Sequence, residues 1–362
     1  MKLSDIVDRI NGNVDRFTTD LEYYIGGEHM ESNELEITGR GMLKENLGKL
    51  GFKFHFAFQE RDVIFMARNP HLRKAGMVMF AGLCSDASYI LRSKDENVIT
   101  QEFLAVQLQS DHFWDYCERT KVGSVNFANN WTSIANYDFE LPPIEKQKEI
   151  SQKVWAAYRL KGSYKKLLAA TDEMVKSQFI EMFGDPMVNT KCWSDYGQIG
   201  NYAQIVLGST PNSKNPDYWD GEIKWITPAE MADESYYIYD TERHLTEEGL
   251  SSASLTLLPY RSVLFSTRAP IGKVGLVGSP MYCNQGFKNF ICGEKLNPVY
   301  LYYALIFKRE YLVSLGTGTT FKELSKKAVE NLMIAVPPIA LQNEFEAIYQ
   351  QADKSKYYYQ IA

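Results

Sequence analysis

A chain of 362 residues with 45% apolar and 23% charged side chains has the composition of a soluble globular protein and the length of two ordinary domains with connectors. Its net charge of −6 argues against a protein that coats nucleic acid through a generally basic surface, but leaves room for a local basic cleft. No apolar run is long enough for a transmembrane helix, and 5 scattered cysteines without C-x-x-C or paired histidines fit reduced cytoplasmic thiols better than a disulfide frame or a zinc site.

In chain order, the opening MKLSDIVDRINGNVDRF carries acids in its first turn and no apolar core segment, so no signal peptide is expected. From Arg61, RDVIFMARNPHLRKAGMV reads as a short β-forming run ended by a proline turn. EFLAVQLQSDHFWDYC places apolar residues at helical spacing. YDFELPP predicts a short terminal strand. In LPPIEKQKEI, beginning at Leu141, two prolines fit only the first turn of a helix, where the missing N–H is not needed. No proline follows from Ile144 to Phe183, and Gly184 and Pro186 stop the run. Ile150, Val154, Leu168 and Val175 mark its apolar face, and about forty residues make a rod of about 60 Å.

The second half repeats these phrases. Arg261, Phe265, Arg268 and Pro270 match Arg61, Phe65, Arg68 and Pro70 at one constant offset. After a one-residue deletion, Lys273 matches Lys74 and Cys283 matches Cys84. VYLYYALIFKREYLVSL repeats the helical spacing, GTGTTF faces KVGSVNF, and LMIAVPP predicts a second terminal strand. VPPIALQNEF, beginning at Val336, launches a second helix with a heptad seam at Leu341, Phe345, Ile348, Ala352, Ser355 and Tyr359. The repeat is too long for a solenoid unit. It predicts two mixed α/β lobes, each followed by its own helix, with the helices packed together as a spacer. Such a device touches two similar targets a fixed distance apart, as a duplex presents every turn of about 34 Å.

These segments, together with YIGGEHM (Tyr24–Met30), GLCSD (Gly82–Asp86), LGSTPNSKNPDYWDGEIKWITP (Leu207–Pro228) and CNQGF (Cys283–Phe287), make the chain resemble the specificity (S) subunit of type I restriction-modification systems. The resemblance implies target-recognition domains over residues 1–140 and 185–335, a central conserved helix over 141–184 and a short distal one over 336–362. It implies a pseudo-twofold α/β molecule whose helices form an antiparallel coiled-coil spacer. Each domain would read one half of a split DNA site, and the helices would dock methyltransferase (M) subunits, with restriction (R) subunits joining the complex. The partners would bring S-adenosylmethionine, and ATP with Mg²⁺. This chain would bind no cofactor or metal itself, and would act in the cytoplasm.

No residue set supports catalysis. GTGT (Gly316–Thr319) lacks the P-loop pattern. No aromatic follows the Pro–Pro pairs to stack a flipped base. P-D-x4-E-x-K at Pro216–Lys224 is cramped for a nuclease metal site, and the five histidines share no spacing. Candidate DNA contacts are Arg68, Lys74, Arg268 and Lys273 at equivalent strand ends, where arginine suits guanine or a phosphate fork, although a salt bridge within the lobe explains the arginines equally. Ser209, Thr210, Asn212 and Lys214 form a polar loop suited to backbone positioning. Thr317 and Thr319 form a phosphate-contacting turn or a plain loop, with Lys322 and Lys326 following. Two rival functions remain at this point: a protein-binding scaffold built on the helices, and a recognition subunit of another DNA-modification or defence assembly.

Overall fold

The computed structural model describes residues 1–124, 127–231, 234–268, 270–316 and 323–361, the side chains of 234–235 and 353–361 excepted. It forms two compact units, Met1–Tyr164 and Lys165–Ala362.

The first unit contains β1 (Val7–Ile10), β2 (Tyr23–Ile25), β3 (Glu36–Ile37), β4 (Gly41–Met42), β5 (Phe54–Phe58), β6 (Val63–Met66), β7 (Ala75–Val78), β8 (Gly82–Ser85) and β9 (Ser88–Ser93). Its large sheet has the order β1-β9-β6-β7-β3, and its small sheet β4-β2-β8-β5. The second unit contains β10 (Tyr196–Gln198), β11 (Ala203–Leu207), β12 (Trp219–Ile226), β13 (Glu234–Ile238), β14 (Arg243–Leu245), β15 (Val263–Phe265), β16 (Val274–Val277), β17 (Tyr282–Cys283), β18 (Lys288–Cys292) and β19 (Met333–Ala335). Its large sheet runs β11-β18-β15-β16-β13, its small sheet β14-β12-β17. The two large sheets match strand for strand. In each unit one edge pairing is parallel, β3 with β7 and β13 with β16. The small sheets share the parallel pairs β2–β8 and β12–β17; among the described residues the β5–β8 pairing is matched in the second only by the isolated bridge Leu258↔Met281.

The central strands explain the layering. Side chains alternate across a strand, yet Val63, Ile64 and Phe65 are all fully buried, as are Val263, Leu264 and Phe265. Val63 and Phe65 pack with helical residues such as Phe103, Phe113 and Trp114, whereas Ile64 packs with Ile25, Phe58 and Cys84 of the small sheet. Val263 and Phe265 likewise join Tyr300 and Leu301, and Leu264 joins Ile226 and Cys283. Each lobe is therefore three layers: helices, large sheet, small sheet.

Each predicted lobe helix is two. Ser110 interrupts the first, its hydroxyl accepting from Phe113 N, so Gln101–Gln107 ends and Asp111–Thr120 begins. The second divides at Lys308 into Pro298–Phe307 and Arg309–Ser314. LMIAVPP does supply β19, which pairs with β10 over three residues. YDFELPP supplies only the isolated bridge Lys2↔Asp138. Its partner segment turns helical at Leu3, so the ladder ends there.

The long helices span Ile144–Phe183 and Ile339–Ile361. In the repeated Pro–Pro–Ile phrase the glutamine is the fixed point, because Gln147 and Gln342 are fully buried. Gln147 Oε1 accepts from Thr100 N (3.2 Å), and Nε2 donates to Val98 O and Pro142 O (2.8 Å each). Gln342 Oε1 accepts from Asn297 N (2.8 Å), and Nε2 donates to Lys295 O (3.0 Å) and Pro337 O (2.7 Å). Thr100 and Asn297 are the N-caps of Gln101–Gln107 and Pro298–Phe307. The same side chain thus ties each long helix to the N-cap of an equivalent helix in its lobe.

Beyond that point, Trp155 is buried in the first-lobe core, with half-buried Ile150, Val154 and Tyr158 around it. In the second unit, buried Val175, Phe179 and Phe183 share a core with Phe345 and Tyr349. The Phe345 ring lies 5.3 Å from Phe179 and 5.6 Å from Phe183, so the two long helices meet there. The distal stripe is broader than the expected heptad, of which the Ser355 and Tyr359 side chains lie outside the described residues. Gln342, Phe345, Glu346, Tyr349 and Ala352 are buried, whereas Leu341 and Ile348 are half-buried. This helix packs on its own lobe as well, where Tyr303 meets both Phe345 and Tyr349. The wider contact demands a broader face than a coiled-coil seam. Leu168 is half-buried, while Leu160, Leu167 and Met174 of the central helix are exposed. No helix among the described residues is long and apolar enough to cross a membrane.

Candidate nucleic-acid interface

The loops that follow β2 and β12 are held the same way in both lobes. Lys74 Nζ donates to Gly27 O (2.7 Å). Lys273 Nζ donates to Pro228 O (3.1 Å) and to Met231 O. Registers Ile25↔Cys84 and Ile226↔Cys283 make Gly27 and Pro228 equivalent. Both ammonium groups therefore brace the equivalent loop.

Arg68 and Arg268 are both exposed, each in an isolated bridge, with Ala128 and Glu323 respectively. The two sites differ in charge partner. Arg268 Nε donates to Glu323 (2.9 Å), which also accepts from buried Lys288 (2.9 Å). Burial works to raise the Glu323 carboxyl, but these two cations outweigh it and hold its pKa below the ordinary value. Arg68 has no ion pair or side-chain hydrogen bond among the described residues, so its guanidinium is open to solvent.

The loop after β11 is tied down by indoles. Trp225 Nε1 donates to Ser209 O (3.0 Å) and Trp219 Nε1 to Asn212 O (3.2 Å). The Thr210 hydroxyl donates to Gln285, and Asn212 Oδ1 accepts from Lys214 N. Trp219 and Trp225 are core residues, and the loop they hold presents exposed Asn212 and Lys214 side chains. Lys326 opens the helix Lys326–Glu330 and pairs with Glu330 at 3.4 Å. Thr317, Thr319 and Lys322 lie outside the described residues.

Two arginines that the sequence pattern did not single out sit on the small sheets. Arg243 lies over the Trp219 ring at 3.5 Å and 5.5 Å from Trp225. Arg40, just before β4, lies over Tyr23 at 4.2 Å and Phe80 at 4.9 Å. Both are exposed. Stacking uses the guanidinium face and leaves its edge donors free. An arginine beside a strand that pairs with an aromatic strand was the available signal, but it needed the β2–β4 and β12–β14 pairings to be visible.

Burial pushes the equivalent thiols of Cys84 and Cys283 up to about 12. Lys224 of the P-D-x4-E-x-K stretch donates to Tyr239 O (2.7 Å). Among the described residues no group of three or more His, Cys, Asp or Glu could hold a metal ion.

The family model for the type I restriction modification DNA specificity domain matches residues 1–163 and 193–356. The chain belongs to that family. Each matched copy of the specificity domain comprises one lobe and the start of its long helix. The chain is 36% identical over 166 residues to the type I restriction enzyme MjaIX specificity subunit of Methanocaldococcus jannaschii, a match covering 45% of this chain and 38% of that protein. It is 24% identical over 333 residues to the putative MjaX specificity subunit of the same organism, covering 86% of this chain and 76% of the relative. Among solved structures, the type I restriction-modification S subunit of M. genitalium aligns over 99% of this chain and 90% of its own, with a TM-score of 0.64 at 10% identity. A chain from a structure of type I R-M complex assembly and conformational transition aligns over 99% and 91%, with a TM-score of 0.58 at 20% identity. These two likenesses establish the fold.

Proposed function

We propose that this chain is the DNA-reading subunit of a type I restriction-modification complex, with each lobe reading one half of a two-part duplex site. The observation that carries the reading is the duplicated lobe. One strand order, one bracing lysine and one buried glutamine recur, while the exposed loops and aromatic platforms differ. A shared frame with divergent loops is what reading two different half-sites requires.

The long helices are the docking element for methyltransferase subunits. Leu160, Leu167 and Met174 stand exposed at seven-residue spacing along the central helix, the repeat of a coiled-coil seam. In this reading the chain is non-catalytic and cytoplasmic, its methyltransferase partners use S-adenosylmethionine, and restriction subunits use ATP with Mg²⁺. A chain of charge −6 binds DNA weakly alone, and its partners close the grip.

The test is to co-express the chain with the methyltransferase encoded beside it, in a host lacking such marks. Modified adenines are then mapped by long-read sequencing. Methylation at one two-part motif with a fixed gap is the expected result. A stable complex that marks no motif, or no complex at all, overturns the reading.

A further inference from the structure

Equivalent positions on the two long helices carry different polar residues at a buried site. Gln147 and Gln342 make the same hydrogen bonds, so Ser151 stands where Glu346 stands, one helical turn further on. Glu346 is buried, and its carboxylate accepts from Arg261 (2.8 Å) and from Asn297 Nδ2 (2.6 Å). Ser151 is just as deep, 5% exposed, yet its hydroxyl has no hydrogen-bond partner. It lines a cavity of about 210 Å³ together with Glu102, Lys148, Gln152, Trp155 and Arg159.

The charges on this wall favour an anion. Arg159 has no ion pair or hydrogen bond among the described residues, and Lys148 reaches only the exposed Glu145 (3.1 Å). Glu102 is the acid on the wall, and Arg61 already answers its charge at 2.9 Å. Trp155, fixed by its Nε1 donating to Glu102 O (3.2 Å), supplies an apolar side. A buried hydroxyl without a partner costs free energy that an incoming acceptor recovers.

We infer that this cavity seats a carboxylate, an aspartate or glutamate side chain of the methyltransferase subunit, at the position the second lobe fills with its own Glu346. The partner's identity rests on the function proposed above. A protein partner rather than a free acid fits this helix, because Leu160, the residue after Arg159, is 53% exposed and offers apolar surface on the adjoining face.

The experiment titrates the full chain with the purified methyltransferase subunit, in the wild type and in Ser151→Glu, Ser151→Ala and Arg159→Ala variants. Ser151→Glu fills the seat from within and weakens the complex at least tenfold without lowering the melting temperature. Arg159→Ala weakens it several-fold, most at low salt, and Ser151→Ala weakens it less. Wild-type affinity in the Ser151→Glu and Arg159→Ala proteins overturns the seat and leaves the proposed function standing. If the wild type binds no methyltransferase, the proposed function falls, and sodium acetate decides the seat alone. A saturable tryptophan-fluorescence response that Ser151→Glu abolishes supports it, and no response overturns it.

Discussion

The two lobes share one frame and diverge in how they spend charge. Both place an arginine in the left-handed region two residues before their central strand, Arg61 and Arg261, each at φ 69°. Each N–H is held by the same carbonyl, Val78 O (2.7 Å) or Val277 O (2.8 Å). The side chains then part. Arg61 pairs with Glu96 and Glu102 of its own lobe, the three side chains each more than 40% exposed. Arg261 pairs with Glu346 of the distal helix, whose carboxylate side chain is only 10% exposed. Groups that satisfy buried backbone atoms are fixed in both copies, because an orphaned buried amide or carbonyl costs about 1–3 kcal/mol. Exposed ion pairs contribute about 0–1 kcal/mol each and are free to be rewired.

The largest expected contrast lies in helix seating. Phe345 is fully buried among Phe179, Phe183 and Tyr303, whereas its equivalent in the first copy is half-buried Ile150. Phe345→Ala is expected to destabilise the second unit by about 3–5 kcal/mol, and Ile150→Ala the first by about 1–2 kcal/mol. Denaturant unfolding followed separately for the two units checks this, and equal losses would break the comparison. The glutamines are expected to behave alike. Gln147→Ala and Gln342→Ala each remove three hydrogen bonds from a buried side chain, for a loss of about 3 kcal/mol in either unit. A silent Gln147→Ala would show the shared frame to be unequal.

Acid should separate the lobes further. Burial works to raise the Glu346 carboxyl, but hydrogen bonds from Arg261 and Asn297 overcome it and leave its pKa below the ordinary 4.5. Its contribution is therefore complete above about pH 4.5 and is lost as pH falls through the lower folded value. Glu346→Gln should flatten the acid limb of the second unit's stability curve, while Glu102→Gln changes the first by less than about 1 kcal/mol. Melting curves between pH 3 and 7 read both.

What the sequence made legible follows the same division. The Pro–Pro–Ile phrases, the paired arginines and the uninterrupted run from Ile144 marked the duplication and the long helices, because proline geometry and apolar period are local properties. The break at Ser110 was missed because one serine cap overrides an apolar period that continues through it. The burial of Gln147 and Gln342 was invisible because their partners, Thr100 and Asn297, lie 47 and 45 residues away. Lys74 and Lys273 read as DNA contacts, and the loop carbonyls that their ammonium groups hold were not visible in the sequence. The difference between Arg68 and Arg268 depends on Glu323, a residue 55 positions along the chain from Arg268. Long-range pairing of charges has no period for a sequence to display.

The smallest stability effect carries the sharpest functional contrast. Arg243 stacked on Trp219 and Arg40 stacked on Tyr23 are worth about 0.5–1 kcal/mol each at exposed positions. Removing either should therefore hardly move a melting curve. Each is nonetheless a planar donor fork held in one orientation by a rigid ring, the geometry that reads paired acceptors on a guanine edge. In the methyltransferase complex, Arg243→Ala is expected to relax one base position in one half of the methylated motif and leave the other half intact. Arg40→Ala should do the reverse. Lysine in place of Arg243 keeps the charge but loses the planar stack, so it should relax the same position. Methylation that falls uniformly across motifs instead would assign these arginines to phosphate, and the two lobes would then differ in their loops alone.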